Sequence, residues 1–482
     1  MESSLVKIRR EIYVRIAEAF FENKLNEKID RIPLEMRPKN GSELSRCCIY
    51  KDREMIKYRI MAALGLGVED EEDELTPLSE YAKEALNSHV KDSYLTIFSD
   101  LCSACIKTHY HVTDGCRGCV ARPCTTSCAK EAISFINGKA IINSDSCVGC
   151  GKCMTVCPYR SIIRVPIPCE ESCPTGAITK DQSGKEEIDD NKCILCGKCL
   201  QACPFGAIAE RSQLIKVLQA LSEGEPVVAL IAPSIAGQFS GSMEQLHSAL
   251  MKLGFSSVLE VAHGAEQTAI EETNEFQERM VNGQQFMTSS CCSAYVLAVN
   301  KHIVKLQPYV SNTPSPMIFA GRNAREKYPT AKTVFIGPCL AKRSEAFNSG
   351  YIDYTLTFVE LDSLFISKGI NVGECEAVEL MKPATKESLL FAVSGGVAGA
   401  VGYCINPNIN FRPYIVNGYN RRELKQLPGK LINQKPGNFI EVMTCEGGCI
   451  AGPGTIVNSN NAARSVERLA EKADSIFKAE IG

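Results

Sequence analysis

Thiolate chemistry dominates this 482-residue chain, which carries 25 cysteines against 6 histidines. Sixteen of the cysteines lie between Cys102 and Cys203, and two runs in that stretch share one spacing. They are Cys147, Cys150, Cys153 and Cys157-Pro158, and Cys193, Cys196, Cys199 and Cys203-Pro204. This spacing, C-x2-C-x2-C-x3-C-P, is that of paired cubane iron–sulfur clusters. Three thiolates on a tight turn hold one cluster, and the fourth, just before the proline, ligates its neighbour. A zinc site requires neither this spacing nor the proline.

Each complete run needs a partner loop. Cys116, Cys119, Cys124 and Cys128 serve the first. Exchange of fourth ligands gives Cys116, Cys119, Cys124 and Cys157 for one cluster, and Cys147, Cys150, Cys153 and Cys128 for another. Only Cys169 and Cys173-Pro174 directly precede the second run, and the missing pair lies upstream as Cys102 and Cys105. The second unit is then split, with the first inserted into it. Cys102, Cys105, Cys169 and Cys203 bind a third cluster, and Cys193, Cys196, Cys199 and Cys173 a fourth. All sixteen cysteines are used, four per cluster. His109 and His111 are alternative donors that the count does not require. Such a row passes single electrons and makes no product, so something must receive them.

Three later segments carry the remaining chemistry: Thr288-Ser289-Ser290-Cys291-Cys292-Ser293, Gly337-Pro338-Cys339-Leu340-Ala341-Lys342-Arg343-Ser344-Glu345, and Glu441-Val442-Met443-Thr444-Cys445-Glu446-Gly447-Gly448-Cys449. Four thiolates from them can hold one more cubane. Lys342 and the glycine-rich backbone near Cys449 can hold an anion beside it. Glu272, Glu275 and Arg279 are spaced to share one helix face. Read alone, that face is solvated and carries an ion pair.

The elements that position these groups divide the chain in three. Residues 1–98 form a helical N-terminal region, with Ile12, Ile16, Phe20 and Phe21 at helical spacing. Within it, the acidic run 69–74 reads as a solvated loop, and Cys47 and Cys48 as buried structural cysteines. Residues 99–211 hold the two nested dicluster units. Residues 212–482 alternate strands (227–232, 333–336) with helices (244–253, 266–280), and 391–405 read as buried core. The fold class is α+β / α/β multidomain, with an α/β C-terminal domain.

Composition narrows the function. The net charge of −3 gives no case for nucleic acid or membrane binding. No apolar run spans a bilayer, and the first residues carry no signal-peptide core. A cytoplasmic location is expected, where cysteines serve metal sites rather than disulfides.

From about residue 100 to 482 the chain resembles the iron-only ([FeFe]) hydrogenases, whose three active-site signatures the three segments match in order. The divergent residues, and Arg46-Cys47-Cys48-Ile49-Tyr50-Lys51-Asp52, are similar to the monomeric clostridial group B branch. The resemblance implies reversible conversion of two protons and two electrons to H2 at an H-cluster. That cofactor is a [4Fe–4S] cubane joined to a two-iron unit with CO, cyanide and azadithiolate. It implies Cys292, Cys339, Cys445 and Cys449 as cubane ligands, with Cys449 the bridge to the two-iron unit. Cys291 relays a proton, supplied through Arg279, Glu275, Ser311 and Glu272. Ala232, Pro233 and Ser234 touch one cyanide, and Lys342 binds the other. Expected partners are H2, protons, ferredoxin or a similar one-electron carrier, and hydrogenase maturation proteins. By chain position, the cluster at Cys193–Cys199 lies nearest the active site. The chain departs from the family at Ser293 (usually proline), Tyr295 (tryptophan), Gly337 (often methionine), Met317 (glutamine) and Pro453.

Other classes stay open. One is an H2 or redox sensor, though no output domain is evident. Another is an iron–sulfur assembly protein without turnover, which is expected to lack the full relay. A plain polyferredoxin leaves the C-terminal domain unexplained. Cys375 and Cys404 have no assigned role, with Cys404 expected in the core.

Overall fold

The computed structural model describes residues 4–39, 48–71, 73–90, 92–102, 109–181, 184–380 and 383–476. Cys47 and Cys105 lie outside the described residues.

The N-terminal region is helical, as its periodicity predicts, with helices Ser4–Phe21, Ile49–Ala63 and Leu78–Asn87. Ser4–Phe21 buries Ile12, Tyr13, Ile16 and Ala17 in the core shared with helix Phe358–Ser367 of the C-terminal domain. Charges fix the join. Arg10 pairs with Asp362 at 2.8 Å, and Arg9 and Tyr13 both reach Glu210, at 2.9 and 3.1 Å. Deeper, Arg343 grips both oxygens of Glu360 at 3.0 and 2.9 Å and donates to the Arg211 carbonyl. Both side chains are sealed from solvent, so removing one partner costs about 3–5 kcal/mol.

Two expectations for this region are corrected. Cys48 is half-buried rather than buried. The acidic run is only partly solvated, with Glu69, Asp73 and Glu74 exposed but Asp70 and Glu71 half-buried. Glu69 and Asp70 pair with Arg211, and Glu71 accepts from Lys57 and Tyr58 at 2.9 and 2.8 Å.

The cysteine-rich region is built from short strands that bracket one another. Leu95–Ile97 pairs antiparallel with Ile208–Glu210, joining the two ends of the region. Inside that bracket, Tyr110–Val112 pairs antiparallel with Ile162–Arg164. The outer module, residues 109–164, lies between this second pair and has its own small core of Tyr110, Ile133, Ala140 and Ile162. Hairpin Ile133–Ile136/Lys139–Ile142 belongs to the module, and hairpin Ile178–Lys180/Glu186–Ile188 to the inner part.

The C-terminal domain holds two parallel sheets. Val227–Ile231 and Lys332–Ile336 form the centre of the first, flanked by Ser257–Glu260 and Tyr354–Leu356. All five residues of Val227–Ile231 are buried, the pattern of a parallel strand covered on both faces. The second sheet pairs Phe439–Met443 with Met287–Thr288 and Pro413–Asn417. The predicted helices are Met243–Leu253 and Val261–Val281. A Ser242/Gln245 capping box starts the first. The second begins five residues before its polar face, on small buried residues such as Ala262 and Ala265. Helix Gly396–Cys404 fills much of 391–405, and Cys404 is buried. The loops after Ile231, Thr288, Ile336 and Met443, at the carboxyl ends of their strands, converge on one crevice.

Candidate active site

Helix Val261–Val281 passes beside the crevice and turns Glu272 inward, where it is fully buried. One Glu272 oxygen accepts the Ser290 N–H at 3.2 Å, next to Cys291. Ser311 is near enough to lower the pKa of Glu272, yet its hydroxyl donates to Glu275, and Glu272 Oε2 has no hydrogen bond. Loss of hydration therefore prevails and raises Glu272 to about 8.

Glu275, one turn along, behaves in the opposite way. Burial raises its pKa, but hydrogen bonds and the Arg279 charge outweigh that and leave it lowered. Ser311 donates to it at 2.6 Å, Thr313 Oγ1 at 2.9 Å, the Asn312 N–H at 2.9 Å and Arg279 at 2.5 Å. The helix face thus ends in an ion pair facing Ser311 and starts in a neutral acid beside Cys291. Burial above all keeps the Cys291 thiol well above its ordinary range, and Glu272, when ionised, adds to this.

Cys292, Cys339, Cys445 and Cys449 stand within each other's electrostatic reach. Burial raises the last three. Cys292 lies 3.4 Å from Thr444 Oγ1, which meets the Tyr419 hydroxyl at 2.8 Å. Gly448, at φ +94°, lets this loop approach the 392–394 backbone. A Cβ there would stand 2.7 Å from the Ser394 nitrogen.

A cavity of about 70 Å³ opens beside Cys291, Cys339 and Cys449. Ala232, Pro233, Ser234, Met317 and Lys342 line it. Ser234 is fully buried, and its hydroxyl has no hydrogen-bond partner. Lys342 donates to Glu345 at 2.7 Å, Ser315 at 2.9 Å and the Cys291 carbonyl at 3.2 Å. Burial lowers its pKa, but Glu345 more than offsets this and holds it protonated. A small anion fits this wall. Ser234 offers an unused donor, and the 3.2 Å contact of Lys342 is the easiest to exchange.

The departures from the family signatures are accommodated here. Ser293 donates to Glu345, joining the Lys342 network. Tyr295 is buried and donates to Thr288 at 3.0 Å. The Phe335 ring fills the space of a side chain at 337, where a Cβ would lie 2.5 Å from it. The Pro453 ring packs on Gly197, in the loop between Cys196 and Cys199. The sequence reading gave Glu345 no role, though its i, i+3 spacing from Lys342 could have revealed the pair. Ser315 and Thr313 gave no signal, because their contacts cross from a separate loop.

The other cysteines fall into four groups. Cys196 lies close enough to Cys445 to affect it. Cys173, Cys193, Cys196 and Cys199 interact with one another, as do Cys102, Cys169 and Cys203. Cys128, Cys147, Cys150 and Cys153 line one cavity of about 150 Å³. Cys116, Cys119, Cys124 and Cys157 line another of about 20 Å³. Among the described residues no three His, Cys, Asp or Glu side chains converge tightly enough for a single metal ion. Thiols around a multi-atom cluster stand farther apart. Met55, Tyr58, Ala62 and Phe98 from the N-terminal region pack with Cys102, Cys169 and Cys203.

Residues 225–453 match the family "Iron only hydrogenase large subunit, C-terminal domain". Residues 116–167 and 163–214 match "LdpA Fe-S cluster-binding domain". The chain is 26% identical over 305 residues to iron hydrogenase 1 of Clostridium pasteurianum, across 52% of this chain and 53% of that one. It thus spans about half the length of that relative. It is also 23% identical over 338 residues to cytosolic iron-sulfur assembly component 3 of Rattus norvegicus, across 56% of this chain and 71% of that protein. An [FeFe]-hydrogenase structure from Chlamydomonas reinhardtii aligns over 55% of this chain and 91% of its own, at 22% identity and a TM-score of 0.45. Among the described residues no helix is long and apolar enough to cross a membrane. The family match, over the residues that build the crevice, and the similarity to the clostridial protein together support an iron-only hydrogenase-like protein.

Proposed function

We propose that the protein is a ferredoxin-linked [FeFe]-hydrogenase that reversibly converts protons and electrons to H2. The observation that carries this reading is the path from the Arg279–Glu275 pair through Ser311 toward buried Glu272 and Cys291 at the cavity wall. A protein that only carries or assembles clusters has no use for a graded set of acids ending at a thiol.

Cys292, Cys339, Cys445 and Cys449 would hold the cubane of an H-cluster, with Cys449 bridging to its two-iron unit. The unpartnered Ser234 hydroxyl, with Ala232 and Pro233, would receive one cyanide, and Lys342 the other. When bound, the H-cluster supplies the site at which protons and electrons combine. The chain manages the protons. Arg279 and Glu275 collect them near the surface, and Ser311 passes them inward. Glu272, neutral near pH 7, can donate to Cys291 without leaving a buried charge in its resting state. Positioned donors of this kind contribute about 10²–10⁴-fold.

Electrons would arrive through four [4Fe–4S] clusters in two nested dicluster units within residues 99–211. Their ligands would be the four sets read from the cysteine spacing, Cys105 completing the set of Cys102, Cys169 and Cys203. The Cys193–Cys199 cluster would hand electrons to the active site, a step favoured by the closeness of Cys196 to Cys445. Residues 1–98 would shield an inner cluster, and 212–482 form the catalytic domain. Maturation proteins would install the two-iron unit, and the protein would act as a cytoplasmic monomer of the group B type.

The similarity to the rat assembly component favours a second reading, a cluster-assembly protein without turnover. Anaerobic maturation with a synthetic two-iron unit separates the two. H2 evolution from reduced viologen, abolished by Cys291→Ala, is expected. No H2 from protein with iron for five cubanes and two further irons would overturn the hydrogenase reading.

A further inference from the structure

The outer module differs from the rest of the chain in charge and surface. Residues 109–164 carry Arg117, Arg122, Lys130, Lys139, Lys152, Arg160 and Arg164 against Asp114, Glu131 and Asp145, a net +4 in a chain of net −3. All seven cations are exposed. Lys139 pairs with Asp114 and Arg164 with Glu171, but Arg117 and Arg160 have no ion-pair partner among the described residues. Seventeen large apolar side chains are exposed among the described residues, and seven lie between 120 and 163. Val120 is 98% exposed and Tyr159 55%.

These features gather at one cysteine group. Arg117 lies between Cys116 and Cys119, Val120 follows Cys119, and Tyr159-Arg160 follow Cys157-Pro158. Arg117 and Tyr159 line the same cavity as those cysteines. This group is also the end of the row. Cys196 and Cys292 pack on one core, and Cys102, Cys169, Cys173, Cys199 and Cys203 share another. His109, 3.5 Å from Glu170 beside Cys169, also faces the backbone at Gly149 between Cys147 and Cys150. On the four-cluster reading, the Cys116 group would then come last. The inner groups are covered by the N-terminal helices and the C-terminal domain.

We infer that the rim of the Cys116–Cys119–Cys124–Cys157 site, bearing Arg117, Val120, Tyr159 and Arg160, is the docking surface for an acidic one-electron carrier protein. The inference rests on the four-cluster reading and deepens it by naming where electrons are exchanged. Positive charge around a redox centre steers an acidic partner and raises its association rate, while exposed apolar side chains supply the short-lived contact. One electron leaves the reduced carrier and enters the oxidised cluster, with no bond made or broken.

The test reads electron transfer without H2, so it stands apart from the hydrogenase reading. Oxidised, cluster-loaded full chain is mixed in stopped flow with a reduced acidic 2[4Fe–4S] ferredoxin, and bleaching of the clusters is followed. The second-order rate is expected to fall about tenfold between about 20 and 200 mM salt. It is expected to fall by at least about tenfold in Arg117→Glu/Arg160→Glu, while Lys252→Glu, on the far domain, leaves it unchanged. Arg117→Gln/Arg160→Gln replaces the reversal if iron content drops. Reduction by a small viologen should be unaltered in all of them. A ferredoxin rate insensitive to both salt and the double variant, or equally lowered by Lys252→Glu, overturns the inference. So does concentration-dependent self-association that the double variant abolishes, since the surface would then belong to a second copy.

Discussion

The innermost and outermost cysteine groups use the same ligand in opposite surroundings. Around Cys339, Cys445 and Cys449, burial pushes the thiols up, and rigid sheet ends and a glycine loop close the space. In the outer module Cys116 is lowered by N–H groups of Ala140 and Gly118, Cys150 is exposed, and cations stand around both. The difference teaches that one residue type serves two tasks. On the proposed reading, the dry site would hold reacting protons in place, and the wet, charged one would meet another molecule.

The largest expected effect lies at the dry end. Cys291→Ala should cut H2 evolution by about 10²-fold or more at unchanged iron content, measured with reduced viologen. Cys150→Ala, its counterpart at the wet end, should remove one cluster's iron and slow ferredoxin-driven turnover, leaving more of the viologen-driven rate. Equal losses in both assays would break the comparison.

Next is Glu272→Gln, which should lower activity by roughly 10²-fold and remove a pH inflection near 8 in H2 evolution. Its effect on stability has a definite sign. Glu272 is protonated when folded and ionised when unfolded between its ordinary carboxyl value and about 8. The unfolded state binds fewer protons there, so wild-type stability falls as pH rises through that window. The thermal midpoint of Glu272→Gln relative to wild type should therefore climb from pH 5 to pH 8. A flat difference would mean that Glu272 stays ionised in the folded protein.

Ser293→Pro restores the usual family residue and frees Glu345 from one of its hydroxyl donors. A change of about tenfold in the ratio of H2 oxidation to evolution is expected, read by film electrochemistry. The smallest effect is expected from Pro453→Ala, which removes ring carbons packed on Gly197. It should cost about 1 kcal/mol, seen as a lower thermal midpoint at full cluster content.

Legibility in the sequence followed chain locality. Cysteine spacing is local, and the groups it predicts are brought together for every ligand described. The Glu272–Glu275–Arg279 face is local too, as is the run of buried strand residues at 227–231. What could not be read depends on distant partners. Nothing near Ser315 announces that it holds Glu345 and Lys342, and nothing near Tyr58 announces that it packs against the cysteine-rich core. The anchoring of Asp70 within the acidic run could not be read because its cation, Arg211, is 141 residues away. Periodicity predicted helices in residues 1–98, but periodicity carries no record of which surface a helix covers.

The strand pair Tyr110–Val112/Ile162–Arg164 brings the start and finish of the outer module side by side. On the four-cluster reading, a conductor could thereby be lengthened at one point of the chain without disturbing the inner wiring. The same seam makes the module a removable part. Cutting at both strands and joining them with a tight turn should shorten the circuit by two relay stations, leaving every inner ligand in its original place.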